Sequence, residues 1–193
     1  MIINMTEKRS SLADFKKENL ALKREIKNLK SLVWLDFLTR VYNRQAFYNL
    51  IKASCREISF AKKHRNRRRG ISEFSLILFD IDDFKKYNDE HGHLSGDRIL
   101  KKTAALIKNS VREMDLVARW GGEEFVAILR GTKSAQAKRK AEFILSEARK
   151  KLPVTLSAGL AQSNPKYTPA EMFKKADRAL YRAKRLGKDR VAG

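Results

Sequence analysis

The sequence predicts an α+β domain in which a mostly antiparallel sheet is flanked by helices, with one further helix before it. Three observations predict this class. Residues 74–79 form a short apolar run typical of a buried central strand. Two β-rich runs, 116–118 and 125–129, lie on either side of a Gly-Gly pair and favour a hairpin. The remaining long segments repeat their apolar residues at helical spacing.

Length and composition agree with one such domain. The chain has 193 residues, which suffice for a single core and a short extension. We therefore divide it into an N-terminal helix, 1–34, and one domain, 35–193. No basic leader with an apolar stretch opens the sequence, and the longest apolar run is far shorter than a bilayer span, so we expect a cytoplasmic protein without a membrane partner. The lone Cys55 lies on the apolar side of a helical pattern and is interpreted as a core residue.

The charge balance is strongly basic. The chain has 43 Lys and Arg against 22 Asp and Glu, and the resulting formal charge of +21 attracts polyanions. The densest basic cluster, residues 64–70, lacks the interleaved aromatic side chains that stack on single-stranded nucleic acid. We interpret it as a solvated loop, and specific nucleic-acid binding is the less favoured alternative.

The N-terminal segment follows a heptad pattern. The a positions hold Leu12, Asn19, Ile26 and Val33, and the d positions hold Phe15, Leu22 and Leu29. Lys16, Lys23 and Lys30 fall at e, and Glu18 and Glu25 fall at g. Because an a-position asparagine sets register in two-stranded coils, the pattern predicts a parallel coiled-coil dimer. Three heptads are marginal alone, and the alternative is a helix packed on its own domain.

The first half of the domain contains a helix, a strand and a helix pair. We expect the first helix to end near Lys63 and a strand to run from Phe74 to Asp82. The next segment predicts a short helix, a stop at Gly92 and a second helix that begins at Asp97 and reaches Val111. The Gly-Gly hairpin follows.

The second half of the domain predicts a helix, a strand and a last helix. Five apolar residues share one helical face, namely Ala137, Ala141, Ile144, Leu145 and Ala148. Residues 154–160 then alternate as a half-buried strand. The last helix begins with the capping box Thr168-Pro169-Ala170-Glu171 and can be closed by Gly187.

Acidic side chains gather where two of these elements end. The apolar run of the first strand leads directly into Asp80, Asp82 and Asp83, and Glu123 and Glu124 follow the glycines of the hairpin. Carboxylates this close together repel unless a cation neutralises them, and such hard oxygen ligands suit Mg²⁺ or Mn²⁺. The simpler alternatives are a strand end that reaches solvent and a solvated turn.

Four segments carry a resemblance to a known family. Residues 80–97 fill every fixed position of D-x-D-x-F-K-x-x-N-D-x-x-G-H-x-x-G-D, and the hairpin reads GGEEF. Residues 36–44 match D-x-L-T-x-L-x-N-R except that Val41 replaces a leucine. Residues 155–161 and 176–188 match a late strand and a closing helix in the right order. These motifs resemble those of the GGDEF-domain family, the diguanylate cyclases, although Asp189 stands where that family commonly has asparagine.

The resemblance implies a palm-like fold shared with nucleotidyl cyclases and a defined reaction. Two GTP molecules are condensed into cyclic di-GMP, with release of two pyrophosphates and with two Mg²⁺ or Mn²⁺ ions in each active site. It implies metal ligands at Asp80, at the Ile81 carbonyl and at Glu123 and Glu124. The two glutamates are the implied catalytic residues, and Glu123 is our candidate for helping to remove the 3′-proton.

The resemblance also implies a GTP-binding set. It comprises Phe84, Lys85, Asn88, His93, Asp97, Gly121, Gly122, Lys184 and Lys188. Asn88 and Asp97 resemble the guanine readers, and the two lysines, four residues apart on one helical face, would hold the β- and γ-phosphates. The alternative for the lysines is a solvated basic face. His91 and His93 lack a third soft ligand, so we do not expect a zinc site.

A last motif points to regulation. Arg112 and Asp115 match the R-x-x-D product-binding site of the family, which implies inhibition by cyclic di-GMP; the alternative is a surface ion pair. The reaction further implies a homodimer with facing domains. Two other functions compete: an inactive cyclic di-GMP-binding effector and a basic nucleic-acid-associated protein on a palm fold. An effector would most naturally have lost Asp80, the glycine pair or Glu123, all of which are present.

Overall fold

The computed structural model describes residues 14–23, 25, 34–63 and 71–193. The chain divides into two compact units, Met1–Leu35 and Asp36–Gly193. In the first unit, residues 14–23 and 25 are helical, and we name this helix α1. Its d-position side chains Phe15 and Leu22 are 67% and 51% exposed. Several predicted features lie outside the described residues, namely the heptad positions Leu12, Ile26, Leu29, Lys30 and Val33 and the basic cluster 64–70.

The second unit contains both helices and strands. In chain order its elements are α2 (Arg44–Lys63), β1 (Phe74–Ile81), α3 (Phe84–His91), α4 (His93–Ser110), β2 (Leu116–Gly121), β3 (Glu124–Arg130), α5 (Ser134–Lys151), β4 (Leu156–Gln162), α6 (Pro169–Arg185) and β5 (Val191–Ala192). The strands form one sheet in the order β2-β3-β1-β4-β5, with only the β4–β5 pair parallel. This confirms the predicted α+β class. None of the described helices is both long enough and apolar enough to cross a membrane.

The central strand β1 divides the core into two layers. All eight of its residues are buried, as the apolar run predicts. Because successive strand residues point to opposite faces, alternate side chains enter different clusters. On one face, Ile77, Phe79 and Ile81 pack with Ile107 of α4 and Ile144 of α5. On the other face, Phe74, Leu76 and Leu78 pack with Phe47 of α2 and Met172 of α6.

The two predicted helix starts have different outcomes. The capping box of α6 is confirmed, since Thr168 Oγ1 accepts from Glu171 N at 3.3 Å and Glu171 Oε2 accepts from Thr168 N at 2.7 Å. The predicted start of α4 at Asp97 is wrong, because the helix already begins at His93. Gly92, with φ of +79°, separates α3 from α4 as a single residue, so no longer linker is needed.

A close approach at Gly159 holds α6 against β4. A Cβ added at this glycine would overlap Ala176 O and Leu180 N, and it would lie 2.8 Å from Leu180 Cα. All three atoms belong to the backbone of α6, so the clash could not be relieved by rotating a side chain. The glycine therefore sets how closely the last helix lies on the sheet.

A second contact ties the start of the domain to the hairpin. Asp36 Oδ1 accepts from Thr39 N at 2.9 Å and from Thr39 Oγ1 at 2.6 Å, and Arg119 Nη1 lies 3.3 Å from the same oxygen. Arg119 also donates from Nε and Nη2 to Gly122 O at 2.9 and 2.8 Å. Burial alone would raise the pKa of Asp36, but the Thr39 hydrogen bonds and the Arg119 charge lower it below its usual value. Arg119 thus joins the first turn of the domain to the Gly-Gly turn.

We expect Gly159→Ala to lower the free energy of unfolding by about 2–4 kcal/mol, because the new methyl group must displace the backbone of α6. Urea denaturation followed by tryptophan fluorescence measures the change. Gly193→Ala is the matched control, since the three atoms nearest to its Cβ would belong to the Leu160 side chain, at 3.2–3.6 Å. An equal, small effect of both substitutions would show that the α6 packing adjusts easily.

We expect Asp36→Asn to lower the free energy of unfolding by about 1 kcal/mol at neutral pH, because the neutral amide loses the charged partner of Arg119. The pKa of Asp36 is lower in the folded protein, so its carboxylate stabilises the fold above the unperturbed value of 3.8 and this contribution is lost as the pH falls through the folded value. The difference between wild type and variant should therefore shrink in acid. Denaturation at several pH values, with the exposed Asp89→Asn as control, checks this; a difference that is constant with pH would contradict it.

Candidate active site

Three acidic residues lie near one another where β1 meets β3. Asp80 is the penultimate residue of β1, and the antiparallel register pairs it directly with Glu124 of β3. Glu123 lies in the adjoining turn. Burial raises the pKa of Asp80 to about 6; Lys184 opposes this shift, and the negative charges of Glu123 and Glu124 add to it. Burial also raises the pKa of Glu124, again against the charge of Lys184 and with the charge of Glu123.

Two lysines neutralise carboxylates at this end of β1. Lys184 Nζ lies 2.8 Å from Asp80 Oδ2, and Lys188 Nζ lies 2.6 Å from Asp83 Oδ1. The hydrogen bond to Asp83 raises the pKa of Lys188. The predicted placement of both lysines on one helical face is wrong, because α6 ends at Arg185 and Lys188 has a left-handed backbone with φ of +58°. The loop nevertheless returns the second ammonium group to the strand end.

The Gly-Gly hairpin is held on both sides. Gly121 pairs with Glu124 across a register shift, and Gly122 takes a positive φ of +36°. Trp120, directly before the glycines, stacks on Phe173 of α6 with ring centroids 4.1 Å apart. Arg44 Cζ lies 4.5 Å from the centre of the Trp120 ring on its other side. Sequence reasoning missed these supports, whose only local signal is the aromatic residue before the Gly-Gly pair.

The predicted guanine readers lie on α3 and α4. Asn88 of α3 packs against Gly96 of α4, where any Cβ would collide with the Asn88 side chain. Asn88 Oδ1 is one of the few buried side-chain oxygen or nitrogen atoms in the described residues that have no hydrogen-bond partner. Asp97 is half-buried on α4. The remaining predicted nucleotide contacts from these helices differ in exposure, since Phe84 is buried at the start of α3 whereas Lys85 and His93 are exposed.

Asp82 has a structural role that sequence reasoning missed. Its carboxylate is buried and accepts from Thr155 Oγ1 and Ser157 Oγ, both at 2.7 Å, and from Asp189 N at 3.2 Å. Three donors satisfy the charge without a cation. Asp82 therefore joins the end of β1 to β4 and to the loop after α6.

The R-x-x-D motif forms the turn between α4 and β2. Asp115 is buried, and its two oxygens accept from Arg112 N at 3.0 Å and from Arg130 N at 2.9 Å. The Arg112 side chain is exposed. The predicted product site therefore presents its arginine to solvent, while the aspartate holds the backbone of that arginine.

The donor set at the strand end suits a hard divalent cation. Asp80, Glu123 and Glu124 lie near the Lys184 ammonium group, and the charge of Arg44 also acts on Glu124. The Ile81 carbonyl follows Asp80 in β1 and adds a further oxygen donor. Within the described part of the chain, no three His, Cys, Asp or Glu side chains converge closely enough to hold an ion by themselves. These carboxylate and carbonyl oxygens are hard donors of the kind that Mg²⁺ prefers.

The chain matches a known protein family over most of its length. The family described as "Diguanylate cyclase, GGDEF domain" matches residues 33–190. The diguanylate cyclase DgcP of Pseudomonas aeruginosa is 35% identical over 164 residues, which cover 81% of this chain and 23% of that protein. DgcM of Escherichia coli K12 is 37% identical over 162 residues, covering 81% and 37%. The uncharacterized protein YtrP of Bacillus subtilis is 39% identical over 167 residues, covering 84% and 27%. The chain thus spans well under half the length of these relatives.

Solved structures match the same region. The coiled coil and GGDEF domain of DgcB from Caulobacter crescentus, in complex with c-di-GMP, has a TM-score of 0.81 at 27% identity, covering 95% of this chain and 97% of that chain. The active GGEEF domain of a diguanylate cyclase from Vibrio cholerae has a TM-score of 0.66 at 30% identity, covering 78% and 95%. The likeness to DgcB supports a coiled-coil N-terminus before the α+β domain. The chain belongs to the GGDEF-domain family of diguanylate cyclases.

Proposed function

We propose that this protein condenses two GTP molecules into cyclic di-GMP, each 3′-hydroxyl attacking the α-phosphate of the other nucleotide with release of pyrophosphate. The observation that carries the proposal is the pairing of Asp80 with Glu124 beside Glu123, at the end of a buried strand and under an intact GGEEF hairpin. In-line phosphoryl transfer needs positioning and charge neutralisation more than covalent chemistry. Clustered carboxylates with nearby ammonium groups suit that requirement.

Asp80, the Ile81 carbonyl, Glu123 and Glu124 are the residues that would hold two Mg²⁺ or Mn²⁺ ions. When bound, such ions neutralise the triphosphate and lower the pKa of the attacking hydroxyl. Lys184 would exchange its contact from Asp80 to a phosphate oxygen, and Lys188 would do the same from Asp83. Each lysine then stays neutralised in both states.

Glycine in the turn lets the triphosphate approach the backbone. Because Gly121 and Gly122 lack side chains, nothing from these two residues would block a phosphate from the turn backbone. Gly122 also takes a positive φ. Glu123, in this turn, is the candidate for receiving the 3′-proton. Glu124 is paired within the sheet, which restricts its position and suits a metal ligand. Phe84, Lys85 and His93 would flank the nucleotide from the first turns of α3 and α4.

Guanine recognition is assigned to Asn88 and Asp97. The buried Oδ1 of Asn88 accepts no hydrogen bond from the described residues, and an N–H of the guanine edge would satisfy it. A carboxylate at Asp97 accepts from the guanine N1–H and 2-amino group, whereas adenine presents a lone pair at N1. The pair would therefore favour GTP over ATP.

Two copies of the domain would face each other, because each holds one nucleotide and each supplies a nucleophile. Phe15 and Leu22 of α1 are exposed, and with Asn19 at an a position they would form the seam of a parallel coiled coil. Such a coil raises the effective concentration of one half-site at the other. The homodimer is thus part of the proposed mechanism.

Product inhibition is assigned to Arg112. Its exposed guanidinium can fork onto a guanine edge or a phosphate of cyclic di-GMP. Asp115 would act mainly by holding the turn, since both of its oxygens already accept backbone N–H groups.

We expect Glu123→Gln to lower cyclic di-GMP formation by about 10²-fold or more, because a metal ligand and the candidate proton acceptor are lost together. Purified protein incubated with GTP and Mg²⁺, with products resolved by chromatography, measures the rate. Glu142→Gln on the exposed side of α5 is the matched control and should retain activity within about twofold. ATP should give no cyclic product.

One result would replace this proposal. If folded, dimeric wild-type protein forms no cyclic di-GMP after a phosphodiesterase has removed any bound product, the enzymatic function fails. Binding of cyclic di-GMP to that protein would then support the effector function instead.

We expect Arg112→Ala to relieve product inhibition, so that progress curves with GTP stay linear to higher product concentrations while the initial rate remains within about twofold. Lys108→Ala, which removes a nearby exposed charge in the last turn of α4, should leave the curvature unchanged. Addition of cyclic di-GMP to the three proteins measures the inhibition directly. Equal inhibition of the wild type and Arg112→Ala would remove Arg112 from the product site.

A further inference from the structure

The loop between α6 and β5 has an unusual backbone. Gly187, Lys188 and Asp189 take φ values of +105°, +58° and +48° in succession. The left-handed region is unfavourable for residues with a side chain, so two of the three positions require support from their surroundings. The same loop carries Lys188, whose ammonium group lies 2.6 Å from Asp83 Oδ1.

Arg149, near the C-terminal end of α5, forms hydrogen bonds to this loop. Its Nε lies 2.6 Å from Asp189 Oδ2, and its Nη2 donates to Asp189 O at 3.1 Å. One guanidinium thus holds both the side chain and the backbone of Asp189 in a single fork. The Arg149 and Asp189 side chains are 47% and 32% exposed, so the pair stabilises the whole fold only weakly. Its effect is concentrated on the loop.

The other side of the loop is anchored in the sheet. Asp189 N donates to Asp82 Oδ2, and Asp82 is held by Thr155 and Ser157 of the β4 region. Asp189 is therefore fixed between Asp82 and Arg149, one residue after Lys188. Asparagine, which the family commonly has at this position, would keep an acceptor for Arg149 but not the charge.

We propose that Arg149 and Asp189 are positioning residues that hold the Lys188 ammonium group where it binds the triphosphate of GTP. This inference rests on the proposed function, since it takes Lys188 as a phosphate ligand. Neither positioning residue contacts Asp80, Glu123 or Glu124 in the described structure. Removing the fork should thus weaken nucleotide binding and leave the chemical step unchanged.

The experiment compares steady-state kinetics of single and double variants. Arg149→Ala and Asp189→Ala should each raise the KM for GTP by about three- to tenfold while kcat stays within about twofold. The double variant should be no worse than either single one, because the two residues act as one unit. Arg149→Lys should give an intermediate KM, since an ammonium group keeps the charge but loses the fork.

Two controls distinguish the loss of the Arg149–Asp189 contact from a mere change in the net charge of the protein. Lys150→Ala removes the same charge one residue away, from a side chain that contacts Glu147, and should leave KM unchanged. Asp189→Asn should stay within about twofold of the wild type, because its amide oxygen still accepts from Arg149. Thermal melts establish that each variant is folded, and Arg149→Lys still decides the question if the alanine variants do not fold.

Three results would overturn the proposal: equal KM shifts in Arg149→Ala and Lys150→Ala, a fall in kcat with KM unchanged, or additive effects in the double variant. Calorimetry with 3′-deoxy-GTP and Mg²⁺ measures the Kd for nucleotide binding without turnover, because the analogue lacks the attacking hydroxyl. Failure of the positioning proposal can therefore be distinguished from failure of the proposed function. If the wild type binds the analogue but forms no cyclic di-GMP, the enzymatic proposal fails and the Kd of Arg149→Ala still decides the positioning role. Absence of analogue binding by the wild type would overturn both.

Discussion

The antiparallel pairing of β1 with β3 is the constraint on which the site depends. β1 is buried along its whole length, so its register against β3 is specified by two packed faces, and a slip by one residue would exchange every side chain between the two core layers. The same register sets Asp80 opposite Glu124. The strand register that hydrophobic packing specifies thus pairs two carboxylates at the end of the sheet. Burial there disfavours their charged forms and raises the pKa of both.

The helices around this strand pair bring the compensating charges. Gly159 lets α6 lie directly on β4, and the last turn of α6 then carries Lys184 to within 2.8 Å of Asp80. On the other side of the hairpin, Arg119 holds the Gly122 carbonyl and is itself held by Asp36. The position of the acidic cluster is therefore determined from three directions: by the sheet, by the last helix and by the first turn of the domain.

The parts of this arrangement that could be predicted from the sequence are those with a local signal. An apolar run that ends in acids predicts β1, and a Gly-Gly pair between β-rich runs predicts the hairpin, because both patterns depend on neighbouring residues. The contacts that hold the site depend on residues far apart in sequence. Arg119 and Asp36 are 83 positions apart, so no local sequence pattern predicts their contact.

The error at Lys188 has the same origin. A spacing of four predicts a shared helical face, but α6 ends at Arg185 and the left-handed residues that follow are stabilised by Arg149 and Asp82, which are distant in sequence. The predicted shared helical face was therefore wrong, although both ammonium groups contact carboxylates at the end of β1. Local propensity decides where a helix can continue, and tertiary contacts decide where this one stops.

Two of the many basic residues of the chain contact carboxylates near the end of β1. Lys184 and Lys188 already contact carboxylates, so on the proposed function a metal-bound triphosphate would exchange partners with them rather than meet unpaired charges. Asp80 would pass from an ammonium group to a cation, and each ammonium group would pass from a carboxylate to a phosphate. Asp80, Lys184 and Lys188 would thus each keep a partner of opposite sign, so these three groups are already positioned before substrate arrives. A site of this kind is preorganised by the same ion pairs that hold its loop and its last helix in place.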